Sequence, residues 1–205
     1  MGGPGVHRSI RFVSHLRDFG YEPVVLTILE DDIINLNAVT DNTLMDKIPD
    51  NIQIHRTSSG TPFSLNNWLI KFKIYRLFWF FLYPLFWEKS ALWPSIAIKK
   101  ALQIIDDNQI DIIYTSSGPF SSLKLGYNIT KKRDVKWVAD LRDPYTDAYA
   151  WSYPSKLHWY LSRFNERRWI SRCHRLIVNT PEVKKLYIKR LLKKESDITV
   201  ITNGY

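Results

Sequence analysis

Residues 111–144 read DIIYTSSGPFSSLKLGYNITKKRDVKWVADLRDP, and their pattern decides the fold class. Asp111-Ile112-Ile113-Tyr114-Thr115 is a short apolar run of strand length. Ser116-Ser117-Gly118-Pro119 breaks it as a loop, and Phe120 to Lys131 has the length and spacing of a helix. Lys136-Trp137-Val138-Ala139-Asp140 is a second strand, followed by a loop from Leu141 to Ser152. Short apolar strands alternating with helices imply a parallel sheet covered by helices, because parallel strands are buried on both faces.

The same alternation continues outward. Toward the carboxyl end, Leu157, Tyr160, Leu161, Phe164 and Arg168 recur at helical spacing, and Arg175-Leu176-Ile177-Val178-Asn179 reads as a strand. Thr180-Pro181-Glu182-Val183 opens another helix, with Thr suited to the cap and Pro to the first turn. Asp197 to Ile201 is the last strand. Toward the amino end, Pro94 opens a helix through Ile98, Ala101, Leu102 and Ile105. Ile52 to His55 is a short strand and Glu22 to Thr27 a buried one. Val6, Ile10, Val13 and Leu16 form a helix stopped by Gly20. Glu30 to Asp50 reads as a long acidic, Asn-rich excursion.

The expected fold is therefore α/β, a Rossmann-like parallel sheet with helices on both faces and a single domain over residues 1–205. One strand is expected to be missing. Gly2-Gly3-Pro4-Gly5 opens a helix with only Met1 before it, where such a loop normally follows the central strand. The chain is read as truncated there, and Ile201 to Tyr205 ends on a strand and turn in a matching way.

Composition supports a folded, cytoplasmic protein. With 45% hydrophobic residues in 205, the chain can bury a sizeable core, and 24% charged residues are too few for global disorder. A single cysteine, Cys173, excludes an internal disulfide and suits a reducing compartment. The start has neither the basic residues nor the apolar run of a signal peptide. The net charge of +9 fits either an anionic partner or solvated helix faces. Lys131-Lys132-Arg133 and the lysines and arginine between 184 and 194 lie near helix ends, where cations interact favourably with the helix dipole. No zinc-finger, RNA-binding or basic-zipper spacing accompanies them, so no nucleic-acid partner is expected.

Trp68 to Trp87 is aromatic and apolar, and its longest uncharged run, Leu77 to Trp87, falls well short of the roughly 20 residues that span a bilayer. Two readings stay open for it: a core-covering helix, or a peripheral surface on a membrane carrying a lipid-linked acceptor. Lys71, Lys73 and Arg76 beside Trp68, Phe72, Tyr75 and Trp79 suit the second.

In open α/β sheets, ligands bind outside the carboxyl ends of the strands. Three segments fall there: the glycine loop, Ser116-Ser117-Gly118-Pro119, and Asp140 to Tyr145. Glycines let a backbone approach a diphosphate, and the next helix offers free N–H groups. The pattern is not G-x-G-x-x-G, which weakens a dinucleotide oxidoreductase, and a plain tight turn is an alternative. Asp140, Arg142 and Asp143 could bind hydroxyls, orient an acceptor or accept a proton. The alternative is an Arg–Asp pair that pins the loop. No further carboxylate or His lies near this D-x-x-D in sequence, so no metal is expected. His7 points either into a cleft or to the surface, and Cys173-His174 reads as packing.

In this order, these segments resemble the amino-terminal domain of family-4-like glycosyltransferases of the GT-B fold. The resemblance is carried by residues 2–8, 20–27, 111–119 and 137–144, by Val178-Asn179-Thr180, and by Val200 to Tyr205. It implies a retaining transferase that moves a sugar from a nucleotide-diphosphate donor to an acceptor without metal, in cell-surface polysaccharide assembly. It further implies that Gly3 and Gly5 border the donor phosphates and that Asp140, Arg142 and Asp143 stand at the reaction centre. Ser116, Ser117 and Gly118 would then border the acceptor. A second, donor-binding domain should follow Tyr205. Many relatives carry a His near Asp140 to Asp143, which this sequence lacks. A non-catalytic, membrane-associated binding module is the competing reading.

Overall fold

The computed structural model describes residues 4–35, 47–49, 51–60, 80, 88, 90–147, 153–190 and 192–202. The chain divides into two compact units, residues 1–59 and residues 60–202. The Trp68 to Trp87 segment, apart from Phe80, lies outside the described residues.

In the first unit, helix α1 (Pro4–His15) starts with proline at its first position, where the missing N–H leaves no bond unmade. A 3-10 turn, Leu16–Phe19, extends it, and Gly20 closes it at φ 80°, the left-handed conformation expected of a glycine stop. Strands β1 (Val24–Ile28) and β2 (Gln53–Thr57) pair in parallel, with Val24 opposite Gln53 and Ile28 opposite Thr57. The acidic excursion begins as a short helix, α2 (Glu30–Asn35). Its first turn holds Glu30, Asp31 and Asp32, where negative charge meets the positive end of the helix dipole. Asp32 accepts the Ser59 amide at 2.5 Å, and Arg56 pairs with Glu30 at 2.8 Å.

The second unit holds α3 (Trp93–Asp107), β3 (Ile112–Ser117), α4 (Ser121–Thr130), β4 (Lys136–Leu141), α5 (Lys156–Ile170), β5 (Arg175–Val178), α6 (Pro181–Lys189) and β6 (Ile198–Val200). Its four strands form one parallel sheet in the order β3-β4-β5-β6. The α/β alternation read from the sequence is therefore found, but as two parallel sheets. β1 and β3 each have one hydrogen-bonded neighbour among the described strands.

The core of this unit gathers Phe120 at the cap of α4 and Leu123 within it, Trp137, Ala139 and Leu141 from β4, Ile170 from α5, and Leu176 and Val178 from β5. Thr180 caps α6 as its sequence predicts, accepting the Val183 amide at 3.2 Å. Cys173 and His174 do pack. The thiol is buried, which pushes its pKa up to about 12. The Trp137 amide donates to His174 Nδ1 at 3.0 Å, and the His174 amide returns a bond to the Trp137 carbonyl at 2.7 Å. Burial and neighbouring cations lower the His174 pKa, which suits a ring nitrogen used as an acceptor.

Candidate functional site

The parallel register sets Ser116 opposite Asp140 and Ser117 opposite Leu141 at the carboxyl ends of β3 and β4. Ser116 and Ser117 thus belong to the strand, not to a loop. Ser117 is buried, and its hydroxyl donates to the Asp140 carbonyl at 2.6 Å. This hydroxyl is committed to the sheet. Ser116 is half-buried, and its carbonyl accepts from Ser122 Oγ at 2.9 Å. Only Gly118 of the three is exposed.

The group Asp140, Arg142 and Asp143 is split by its surroundings. Asp140 is 0% exposed, and its carboxylate accepts the Tyr114 hydroxyl. A buried strand-end carboxylate of this kind holds the end of the sheet. Arg142 does not pair with Asp143. Its Nε donates to the Ser117 carbonyl at 2.9 Å and its Nη2 to the Gly118 carbonyl, so it pins the loop through backbone oxygens. Asp143 is left exposed, and among the described residues its carboxylate has no hydrogen-bond or ion-pair partner. The pinning alternative is thus half right, with carbonyls in place of the aspartate.

Gly118 is required by this geometry. Its φ is +103°, and a Cβ there would stand 2.2 Å from Arg142 Nη2. Gly118→Ala is expected to lower stability by about 1–3 kcal/mol from backbone strain and loss of the Arg142 clasp. An unchanged urea midpoint would remove that assignment.

Two side chains that the sequence reading passed over organise the surroundings. Glu88 accepts the Phe120 amide at 2.8 Å, the Ser121 amide at 2.6 Å and the Ser90 hydroxyl at 3.0 Å. It closes the amino terminus of α4, whose own cap position, Phe120, offers no side-chain acceptor. Burial raises the Glu88 pKa, and the hydrogen bonds from Ser121 and Phe120 oppose that rise. Glu166, also 0% exposed, gathers the Thr146 hydroxyl at 2.6 Å, the Tyr187 hydroxyl at 2.6 Å and Arg190 Nη1 at 3.2 Å. Arg190 also pairs with Asp147, and the Tyr187 hydroxyl accepts the Tyr145 amide at 3.3 Å. The segment after β4 is therefore tied at one end by Arg142 and at the other by Glu166, Tyr187 and Arg190.

Gly3 lies outside the described residues. Gly5 sits in the first turn of α1, and His7 is exposed on that helix. Among the described residues, no three His, Cys, Asp or Glu side chains come together as a metal-binding group.

The family model described as Glycosyltransferase Family 4 matches residues 5–205. The chain belongs to this family. No curated protein matches it. The family-4 match covers residues of both units. Glu88 left no motif in the sequence, since a lone acid beside Trp87 carries no spacing. Glu166 did leave a trace: His158, Ser162, Glu166, Trp169 and Ile170 recur at helical spacing and form the buried face of α5.

Proposed function

We propose that this chain is the amino-terminal, acceptor-side half of a retaining glycosyltransferase that moves a sugar from a nucleotide-diphosphate donor to an acceptor in cell-surface polysaccharide assembly. The observation that carries the reading is the family-4 match over residues 5–205. The transfer joins an acceptor oxygen to the sugar's anomeric carbon as the bond to the nucleoside diphosphate breaks. In this reading Asp143, the exposed carboxylate after β4, binds the acceptor hydroxyl and receives its proton. Arg142 shapes the loop that carries Gly118 and the Ser116 backbone along the acceptor. Asp140 and Ser117 act as positioning residues. Gly3 and Gly5 border the donor phosphates, and a second domain beyond Tyr205 holds the nucleotide, with no metal required. The reaction takes place on the cytoplasmic side, against a lipid-linked acceptor at the inner membrane face. Among the described residues no helix is long and apolar enough to cross a membrane.

The 205-residue chain alone is expected to show no sugar-transfer turnover. Half the donor contacts, and the closure that aligns the reactants, come from the second domain. In the two-domain protein, Asp143→Asn should lower kcat by roughly a hundredfold, the lower end for a lost general base. The measurement is release of nucleoside diphosphate from a panel of nucleotide sugars. Turnover by the 205-residue chain would overturn the two-domain reading, and an unaltered kcat would remove Asp143 from the reaction.

A further inference from the structure

Helix α5 is inverted relative to its composition. Its buried face holds His158, Ser162 and Glu166 along with Trp169 and Ile170. Leu157, Tyr160, Leu161 and Phe164, at the i, i+3, i+4, i+7 spacing of one helical stripe, are 64%, 62%, 39% and 64% exposed. The polar contacts fix this orientation. His158 bonds Ser155 Oγ and the Phe80 carbonyl, each at 2.8 Å, while Glu166 is held by Thr146, Tyr187 and Arg190. Turning the stripe inward would strand all of these groups, so the apolar face is kept outward. Four large apolar side chains in one row form the kind of continuous patch that marks an interaction surface.

The charges on the helix say what covers it. Residues 156–170 contain Lys156, Arg163, Arg167 and Arg168 and one acid, Glu166, which is buried. Every charge α5 presents outward is therefore cationic. Lys156, Arg163 and Arg167 run along one edge of the stripe, and Arg163 stacks over the Trp159 ring at 4.9 Å. A second copy would bring this cationic face against itself with no carboxylate to meet it. A bilayer with anionic headgroups meets both features at once. We propose that the outer face of α5 docks on an anionic membrane surface. Leu157, Leu161 and Phe164 enter the acyl boundary, Tyr160 lies at headgroup depth, and Lys156, Arg163 and Arg167 engage lipid phosphates. The docking surface is argued from the helix alone and does not depend on the transfer reaction.

Co-sedimentation of the folded 205-residue chain with vesicles tests this. The vesicles are phosphatidylglycerol mixed with phosphatidylcholine, and phosphatidylcholine alone. Binding to the anionic vesicles should be strong at low salt and weaken as salt screens the headgroups. Leu157→Ser with Phe164→Ser alters only exposed side chains and should weaken binding by roughly tenfold or more through lost apolar contact. Arg163→Gln with Arg167→Gln should weaken it by a similar factor, roughly tenfold, and flatten the salt dependence. No binding at low salt, or undiminished binding by the Leu157/Phe164 variant, overturns the proposal. A concentration-dependent dimer in sedimentation velocity that this variant abolishes also overturns it and assigns the face to a second copy.

Discussion

Glu166→Ala is expected to destabilise the protein by about 3–5 kcal/mol, the range for removing one member of a buried charged network. The carboxylate is fully enclosed and accepts bonds from Thr146, Tyr187 and Arg190. Its loss leaves the Tyr187 hydroxyl, itself in a fully buried side chain, without its acceptor, and Arg190 with Asp147 and the Thr146 hydroxyl only. At this chain length the melting temperature should fall by roughly 10 °C. Glu166→Gln keeps the volume and one acceptor and should lose less. The pH dependence has a definite sign. Burial raises the Glu166 pKa, so the folded state holds the proton more tightly than the unfolded one. The stability from this proton is fully present below the unfolded carboxylate value of about 4.3, and it is lost as pH rises through the folded pKa. Glu166→Gln should flatten that slope. A loss under 1 kcal/mol for Glu166→Ala in urea titration, against the larger loss expected of a buried charged network, would sink the account.

Trp137→Ala should have a comparable effect, about 3–5 kcal/mol, through the cavity left by a fully buried indole. It also leaves Thr115 Oγ1 without the indole N–H that donates to it at 2.9 Å. That bond joins β3 to β4 just before the strand ends that carry the site. The ring leaves room only for glycine at position 126 of α4, since a Cβ there would meet the indole atoms at 2.5 to 2.7 Å. Gly126→Ala should therefore destabilise by about 1–3 kcal/mol, although alanine is the better helix former. Combining Gly126→Ala with Trp137→Leu should cost clearly less than the sum of the single changes, because each opens or fills the same space. Strict additivity in a double-mutant cycle would show that the two positions do not share that space.

Much of the architecture was written in local pattern. The strand–helix alternation, the Gly20 stop, the Thr180-Pro181 cap and the inert Cys173 all appear as expected, because each depends on residues adjacent in sequence. The site was less legible. Asp140, Arg142 and Asp143 stood out together, but one is buried under Tyr114, one is spent on carbonyls and one is free toward solvent. Spacing could not separate them, since each partner comes from a strand or loop about 25 residues away.

The stripe Leu157, Tyr160, Leu161 and Phe164 marks the clearest boundary between the two kinds of information. By itself the sequence determined that these residues form a helix, because their period matches the turn of the backbone. Which side of that helix faces the core was decided only by the tertiary structure. A buried carboxylate that finds Thr146, Tyr187 and Arg190 outweighs the burial of an apolar row, and those partners meet only once the chain has folded.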